Sequence, residues 1–126
     1  MTERDIDRDR ELDRHLPLPP AVFHILIALG DSEKHGYAVM QDVADRTGGK
    51  VRMSPGTLYG SIRKMLDEGL IEEIFLRGAR AAAKEDERRR YYRVTKFGRT
   101  VAAAEAARLS ALLHDARVAG LVPRKG

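Results

Sequence analysis

Residues 53–71, MSPGTLYGSIRKMLDEGLI, contain a start signal, a two-sided middle and a stop. Ser54 is a residue type whose side-chain oxygen caps a helix N-terminus. Pro55 suits the first helical position, because its φ is already helical and its missing N–H would find no partner there. Gly69 is the residue type that ends helices. At 100° per residue, Leu58, Ile62, Met65, Leu66 and Gly69 fall on one side of the helix so delimited, whereas Gly56, Gly60, Arg63, Lys64 and Asp67 fall on the other. Thr57 and Tyr59 flank that polar side. A helix that only covers a core gains nothing from glycines on its open face, each of which costs about 1 kcal/mol relative to alanine. The pattern predicts that something comes close to that face.

Toward the N-terminus, Tyr37, Met40, Val43 and Ala44 repeat at helical spacing until Gly48 and Gly49 interrupt them, which predicts a preceding helix. The polar stretch at 30–36, GDSEKHG, reads as a turn. Before it, Pro20 opens a helix running to about Leu29, with Phe23, Leu26, Ile27 and Gly30 at helical spacing. Residues 1–16 hold six acids and four bases, a net −2, and no apolar stripe. Like charges sit at i,i+4 (Arg4 and Arg8, Asp5 and Asp9, Arg10 and Arg14), while opposite charges meet at i,i+3 (Asp5 and Arg8, Glu11 and Arg14). We read this leader as a mobile charged arm, with a weak helix as the alternative.

Toward the C-terminus, Leu70–Leu76 and Arg90–Thr95 are β-branched and aromatic runs that predict the two strands of a hairpin. By strand alternation, Tyr92 and Val94 face the core, and Tyr91 and Arg93 face away. The connection at 77–89 far exceeds a tight turn. Thr95 can cap an alanine-rich helix from about Lys96 to Ala119, closed by Gly120 with Pro123 beyond. The chain thus divides into an arm (1–16), a body (17–95), a terminal helix (96–119) and a tail (120–126). Three short helices, a hairpin and one long helix follow in the order of a winged helix-turn-helix, a mainly α fold with a small β-hairpin.

Composition removes most other classes. A chain of 126 residues with 43% hydrophobic content is sized for one folded domain. The absence of cysteine excludes disulfides, thiolate zinc sites and cysteine nucleophiles, and suits a reducing cytoplasm. The longest apolar run, AVFHILIALG at 21–30, is about half of the roughly 20 residues that a membrane span needs, and the leader is too charged for a secretory signal. His15, His24, His35 and His114 lack metal-ligand spacing, no glycine-rich phosphate loop follows a strand, and no serine sits in a nucleophile elbow. An enzyme is not expected, nor is a cofactor or a metal.

Charge points instead to a polyanion. The net charge is +4, but residues 50–99 hold thirteen bases and seven acids, a net +6. The polar side of the 54–69 helix suits the major groove of double-stranded DNA. Arg63 can pair with guanine, Lys64 can meet phosphate or guanine, and the bare backbone at Gly56 and Gly60 allows close approach. Ser54, Thr57 and the free amides of the first turn can donate to a phosphate, and Tyr59 adds a hydroxyl. Residues 77–90 of the hairpin hold six bases against three acids, with Arg88, Arg89 and Arg90 contiguous. Glu85, Asp86 and Glu87 repel phosphate, so the tip is expected to swing clear while the Arg88–Arg90 edge touches the backbone or a minor groove.

Three stretches together resemble the PadR-like transcriptional regulators: HGYAVMQDV at 35–43, GTLYGSIRKMLDEGLIE at 56–72 and RRYYRVTKFGR at 89–99. The resemblance covers roughly residues 17–119. It implies a bacterial winged-helix DNA-binding protein, usually a repressor, dimerised through its C-terminal helix and often released from its operator by a small ligand. It maps DNA contact onto Tyr37, Thr57, Tyr59, Arg63 and Lys64, and the wing onto Arg88–Arg90. Gly60 stands where many members have proline, and residues 1–16 have no counterpart in the family pattern.

The terminal helix supports a homodimer without the family. Leu109, Leu112, Leu113 and Ala116 form a helical stripe, which Val101 and the alanines at 102–104 extend. Packing against a partner's equivalent helix, or against the first helix of a twofold mate, would bury it, with packing onto the same subunit as the alternative. A twofold dimer would address half-sites about 34 Å apart, hence an inverted-repeat operator. Any effector cavity is expected between the first and last helices, with Phe23, Ile27, Leu109 and Leu113 as its walls. The rival function is a winged helix used purely for protein contact, which would show no salt-sensitive DNA binding.

Overall fold

The computed structural model of the chain describes residues 2–75 and 90–123. Its elements are α1 (Glu3–His15), α2 (Pro20–Ala28), β1 (Lys34–His35), α3 (Gly36–Arg46), α4 (Pro55–Asp67), β2 (Ile71–Ile74), β3 (Tyr91–Val94) and α5 (Lys96–Val118). The fold is a winged helix with one long terminal helix.

Local signals produce α4 as expected. The Ser54 hydroxyl oxygen accepts from the Thr57 N–H at 3.1 Å, Pro55 opens the helix, and Gly69 closes it at φ +75°, a conformation that costs little only without a side chain. Leu58, Ile62 and Met65 are buried and Leu66 packs partly against the core. α2 is the central element and packs on α3, α4 and α5. Its buried residues are Val22, Ile25, Leu26 and Ala28, so the deep stripe lies beside the expected one and leaves Phe23 and Ile27 only half-buried. On α3 the buried residues are Gly36, Val39 and Val43. Tyr37 points to solvent. Each fully buried aliphatic side chain contributes about 1.5–3 kcal/mol.

The hairpin is part of a three-stranded antiparallel sheet in the order β1-β3-β2. Glu73 lies opposite Tyr92 and Ile71 opposite Val94, while His35 of β1 lies opposite Tyr91. β1 falls where a turn was expected. Tyr91 also corrects the alternation reading: it is buried, although Arg93, its companion on that face, is exposed. The cause is β1, which makes β3 an interior strand and sets the His35 ring edge-on to Tyr91 at 5.3 Å.

The leader is a helix rather than a mobile arm. A capping box at Thr2 and Asp5 starts α1, and tertiary contacts hold its other end. Leu12 and Leu16 pack on the core, the His15 ring meets Phe97 of α5 at 5.4 Å, and His15 Nδ1 lies 3.1 Å from Glu68 Oε2.

The first half of α5 belongs to the body. Thr95 caps it, accepting from the Gly98 N–H at 2.9 Å and donating to the Gly69 carbonyl at 2.6 Å. Any Cβ at Gly98 would run into the Leu70 carbonyl. Val101 is completely buried in the subunit's own core, which removes it from the stripe offered to a partner. One turn on, the buried Glu105 carboxylate accepts from the Leu18 N–H at 3.2 Å and from Arg108 at 2.6 and 3.0 Å.

Candidate nucleic-acid interface

With its aliphatic side in the core, α4 turns Gly56, Thr57, Tyr59, Gly60, Arg63, Lys64 and Asp67 outward, all of them exposed. Apart from adjoining residues and the helix's own nearby backbone, nothing described lies within 4 Å of where a Cβ would stand at Gly60, and at Gly56 only the Ser54 hydroxyl does, at 3.9 Å. Neither glycine serves packing within the described subunit. The face is a strip of open backbone edged by side chains that can donate hydrogen bonds.

Those side chains differ in how free they are. The Ser54 hydroxyl is engaged twice, accepting from the Thr57 N–H and donating to Thr57 Oγ1, each at 3.1 Å. It therefore acts as the cap, and the Thr57 O–H remains available to an outside acceptor. Arg63 makes no ion pair with any described residue. Lys64 Nζ stands 3.9 Å from Glu68 Oε1, and Glu68 also receives His15. Exposed ion pairs of this length are weak and leave Lys64 mobile enough to reach a phosphate.

Tyr37 stands at the start of α3, 59% exposed, where its hydroxyl accepts from Gln41 Nε2 at 2.9 Å. Sequence reasoning misses Gln41, whose only signal is the i,i+4 spacing from Tyr37. Tyr59 is 47% exposed and lies against the first residue of α3, Gly36. Tyr59 thus sits at the seam between α3 and α4, and Tyr37 is the next residue along α3 from the glycine that Tyr59 touches. The sheet reaches the same seam, because β1 pairs with β3 directly before Gly36; the Tyr92 hydroxyl pKa is pushed up by burial first, then by Glu73, with Arg90 opposing and Tyr59 adding a smaller upward push.

Of the wing arginines, Arg88 and Arg89 lie outside the described residues, as does the tip with Glu85, Asp86 and Glu87. Arg90 is exposed and stands 3.6 Å from Glu73, while Arg93 pairs with Glu72 across the strands. At the other end of the molecule, Leu109, Leu112 and Leu113 of α5 are exposed, together with Val118 and Leu121, and Ala116 is half-buried. Among the described residues, no group of three or more histidine or carboxylate side chains could hold a metal ion.

Several solved structures share this fold. A transcriptional regulator from Clostridium thermocellum is 19% identical, with a TM-score of 0.64, and the alignment covers 98% of this chain and 100% of that one. A PadR family regulator from Eggerthella lenta is 24% identical with a TM-score of 0.62, covering 97% and 96%. Bacillus subtilis PadR, crystallised in complex with operator DNA, is 20% identical with a TM-score of 0.55, covering 70% of this chain and 47% of that one. No curated protein matches. The model of the transcriptional regulator PadR-like family matches residues 25–104, a stretch that takes in α3, α4, the sheet and the anchored half of α5, and on that match the chain belongs to the PadR-like family of transcriptional regulators.

Proposed function

We propose that this chain is a sequence-specific DNA-binding regulator that acts as a homodimer on an inverted-repeat operator, most simply as a repressor in the bacterial cytoplasm. The observation that carries the reading is the outer side of α4. Arg63 is exposed there without an ion-pair partner among the described residues, and the backbone at Gly56 and Gly60 is bare with open space before it. Burial of Leu58, Ile62 and Met65 beneath that face holds it rigidly, as a recognition helix requires. The B. subtilis family member crystallised with operator DNA supports the same assignment.

In this reading Arg63 and Lys64 enter the groove, Thr57 and the first turn of α4 receive a phosphate, and Tyr37 and Tyr59 hold neighbouring backbone. Arg88–Arg90 contact the phosphate backbone or an adjacent minor groove. Leu109, Leu112, Leu113 and Ala116 join two subunits, and release by a small ligand would act through the space between α2 and that joint. Genomic fragments captured by the purified protein and sequenced will identify the operator. On that operator, Arg63→Ala should lower affinity by roughly 1–3 kcal/mol and relax the base preference at one position. Equal binding by variant and parent would remove Arg63 from the interface, and absence of salt-sensitive binding by the parent would leave protein contact as the function.

A further inference from the structure

Gly36 is buried at the start of α3, and its backbone is not in the left-handed region that favours glycine. Any residue could adopt that conformation. What another residue would lack is room. A Cβ at position 36 would stand 2.6 Å from the Tyr59 hydroxyl oxygen and 2.9 Å from both Cζ and Cε1 of its ring. These separations are far inside carbon contact distance, and the nearest atoms at that point all belong to Tyr59. The tip of the Tyr59 side chain, launched from α4, therefore rests on bare backbone of α3. Gly36 directly follows β1, whose Lys34 and His35 pair with Tyr92 and Tyr91 of β3, so the same phenol lies next to the sheet.

We propose that Gly36 is a positioning residue for DNA binding: by omitting a side chain it seats the Tyr59 phenol at the junction of α3, α4 and the sheet, holding its O–H ready for a phosphate oxygen. The inference rests on the DNA-binding reading above and deepens it. A tyrosine hydroxyl on phosphate fixes register rather than sequence. Seating the ring before DNA arrives removes the rotamer freedom that binding would otherwise have to freeze. An alanine at position 36 pushes the ring off its seat while leaving the α3 backbone as it is.

The test is a double-mutant cycle of Gly36→Ala with Tyr59→Phe. Affinity is read on a mixed-sequence duplex of about 30 base pairs at low salt, where phosphate contacts dominate, and the tyrosine ring resonances of the same proteins are recorded alongside. Each single variant should bind roughly tenfold more weakly, the loss of one hydrogen bond to a charged acceptor, and the double variant no more weakly than either. Gly36→Ala should also move the Tyr59 ring signals at nearly parental thermal stability. Should it fold poorly, Tyr59→Ala in the same chain should restore the fold, because the three atoms nearest the added methyl group all belong to Tyr59. Unmoved Tyr59 signals, losses that multiply in the double variant, or a folding defect that Tyr59→Ala does not repair would each overturn the proposal. A Tyr59→Phe protein that binds like the parent would also overturn it while sparing the role of Arg63. A parent protein without affinity for the duplex would overturn the DNA-binding reading itself.

Discussion

The outer side of α4 carries Gly56, Gly60, Arg63 and Lys64, whereas the second half of α5 carries Leu109, Leu112 and Leu113, and both surfaces lie open in the single subunit. α4 is anchored by Leu58, Ile62 and Met65, buried on its opposite side, and α5 by Gly98, Val101 and Glu105, buried earlier along its length. The polar face of α4 is well solvated, and leaving it open forgoes no burial. An apolar face is different: each of the leucines, still 39–51% exposed, forgoes about 1 kcal/mol of burial, which is recovered only against another apolar surface. In the proposed function, equal exposure therefore serves different partners, duplex DNA for one helix and a second copy of the chain for the other. Their separation along the chain keeps the two functions from competing for the same residues.

Breaking that comparison at α5 should have the largest effect. Replacing Leu109 and Leu113 together by glutamate puts like charges on both sides of a twofold joint. Sedimentation should then report a monomer, and operator affinity should fall by about a hundredfold or more, because the second half-site is no longer held near the DNA by the first. A dimer that survives the double substitution would show that these leucines face something else.

The boundary between the anchored and open halves of α5 can be tested next. Glu105 marks it, tying the helix to the Leu18 N–H. Hydrogen bonds from Arg108 hold its carboxyl below the usual carboxylate range, against the opposing effect of burial. Stability from a carboxyl so lowered is complete above the ordinary value and disappears as pH falls through the depressed one. Glu105→Gln should therefore cost about 1–3 kcal/mol near neutral pH, and the gap to the parent should close on acidification. Denaturant titrations across pH would show it, and a gap that is constant with pH would deny the charged carboxylate its role.

A smaller effect is expected from the wing. Alanine at Arg88, Arg89 and Arg90 together should weaken binding to all sequences alike. It should also flatten the salt dependence by about 0.9 in log-log slope for each phosphate that the variant no longer neutralises. An unchanged slope would confine the DNA interface to α3 and α4.

The same contrast explains what can be read from the sequence. α4 is legible because its cap, proline, apolar period and closing glycine all lie within one short stretch and agree. α1 is not, because its charge pattern is poor and its anchors, Leu12, Leu16 and His15, act only against residues far along the chain, Glu68 and Phe97 among them. β1 is two residues long, too short to alternate, and its partner strand begins at Tyr91. Val101 joins the dimer stripe on spacing alone, because helical periodicity shows which residues share a face but not whose core that face meets. The seat of Tyr59 on Gly36 is invisible for the same reason, since it joins two helices whose separate patterns are each legible.

Gly60→Ala separates folding from function at the smallest scale. Apart from the adjoining residues and the helix's own nearby backbone, no described atom lies within 4 Å of the added methyl group, so the subunit should gain helix propensity without a clash, a stabilisation of up to about 1 kcal/mol. A residue that only packed or only solubilised would then bind DNA as well as before, or slightly better. If the α4 backbone must come close to the groove at this point, the methyl group instead meets the DNA, and operator affinity falls while thermal stability rises. Opposite signs in the two measurements would assign the glycine to the interface. A gain in both would show that the groove stops short of Gly60, leaving Arg63 and Lys64 to reach it across a gap.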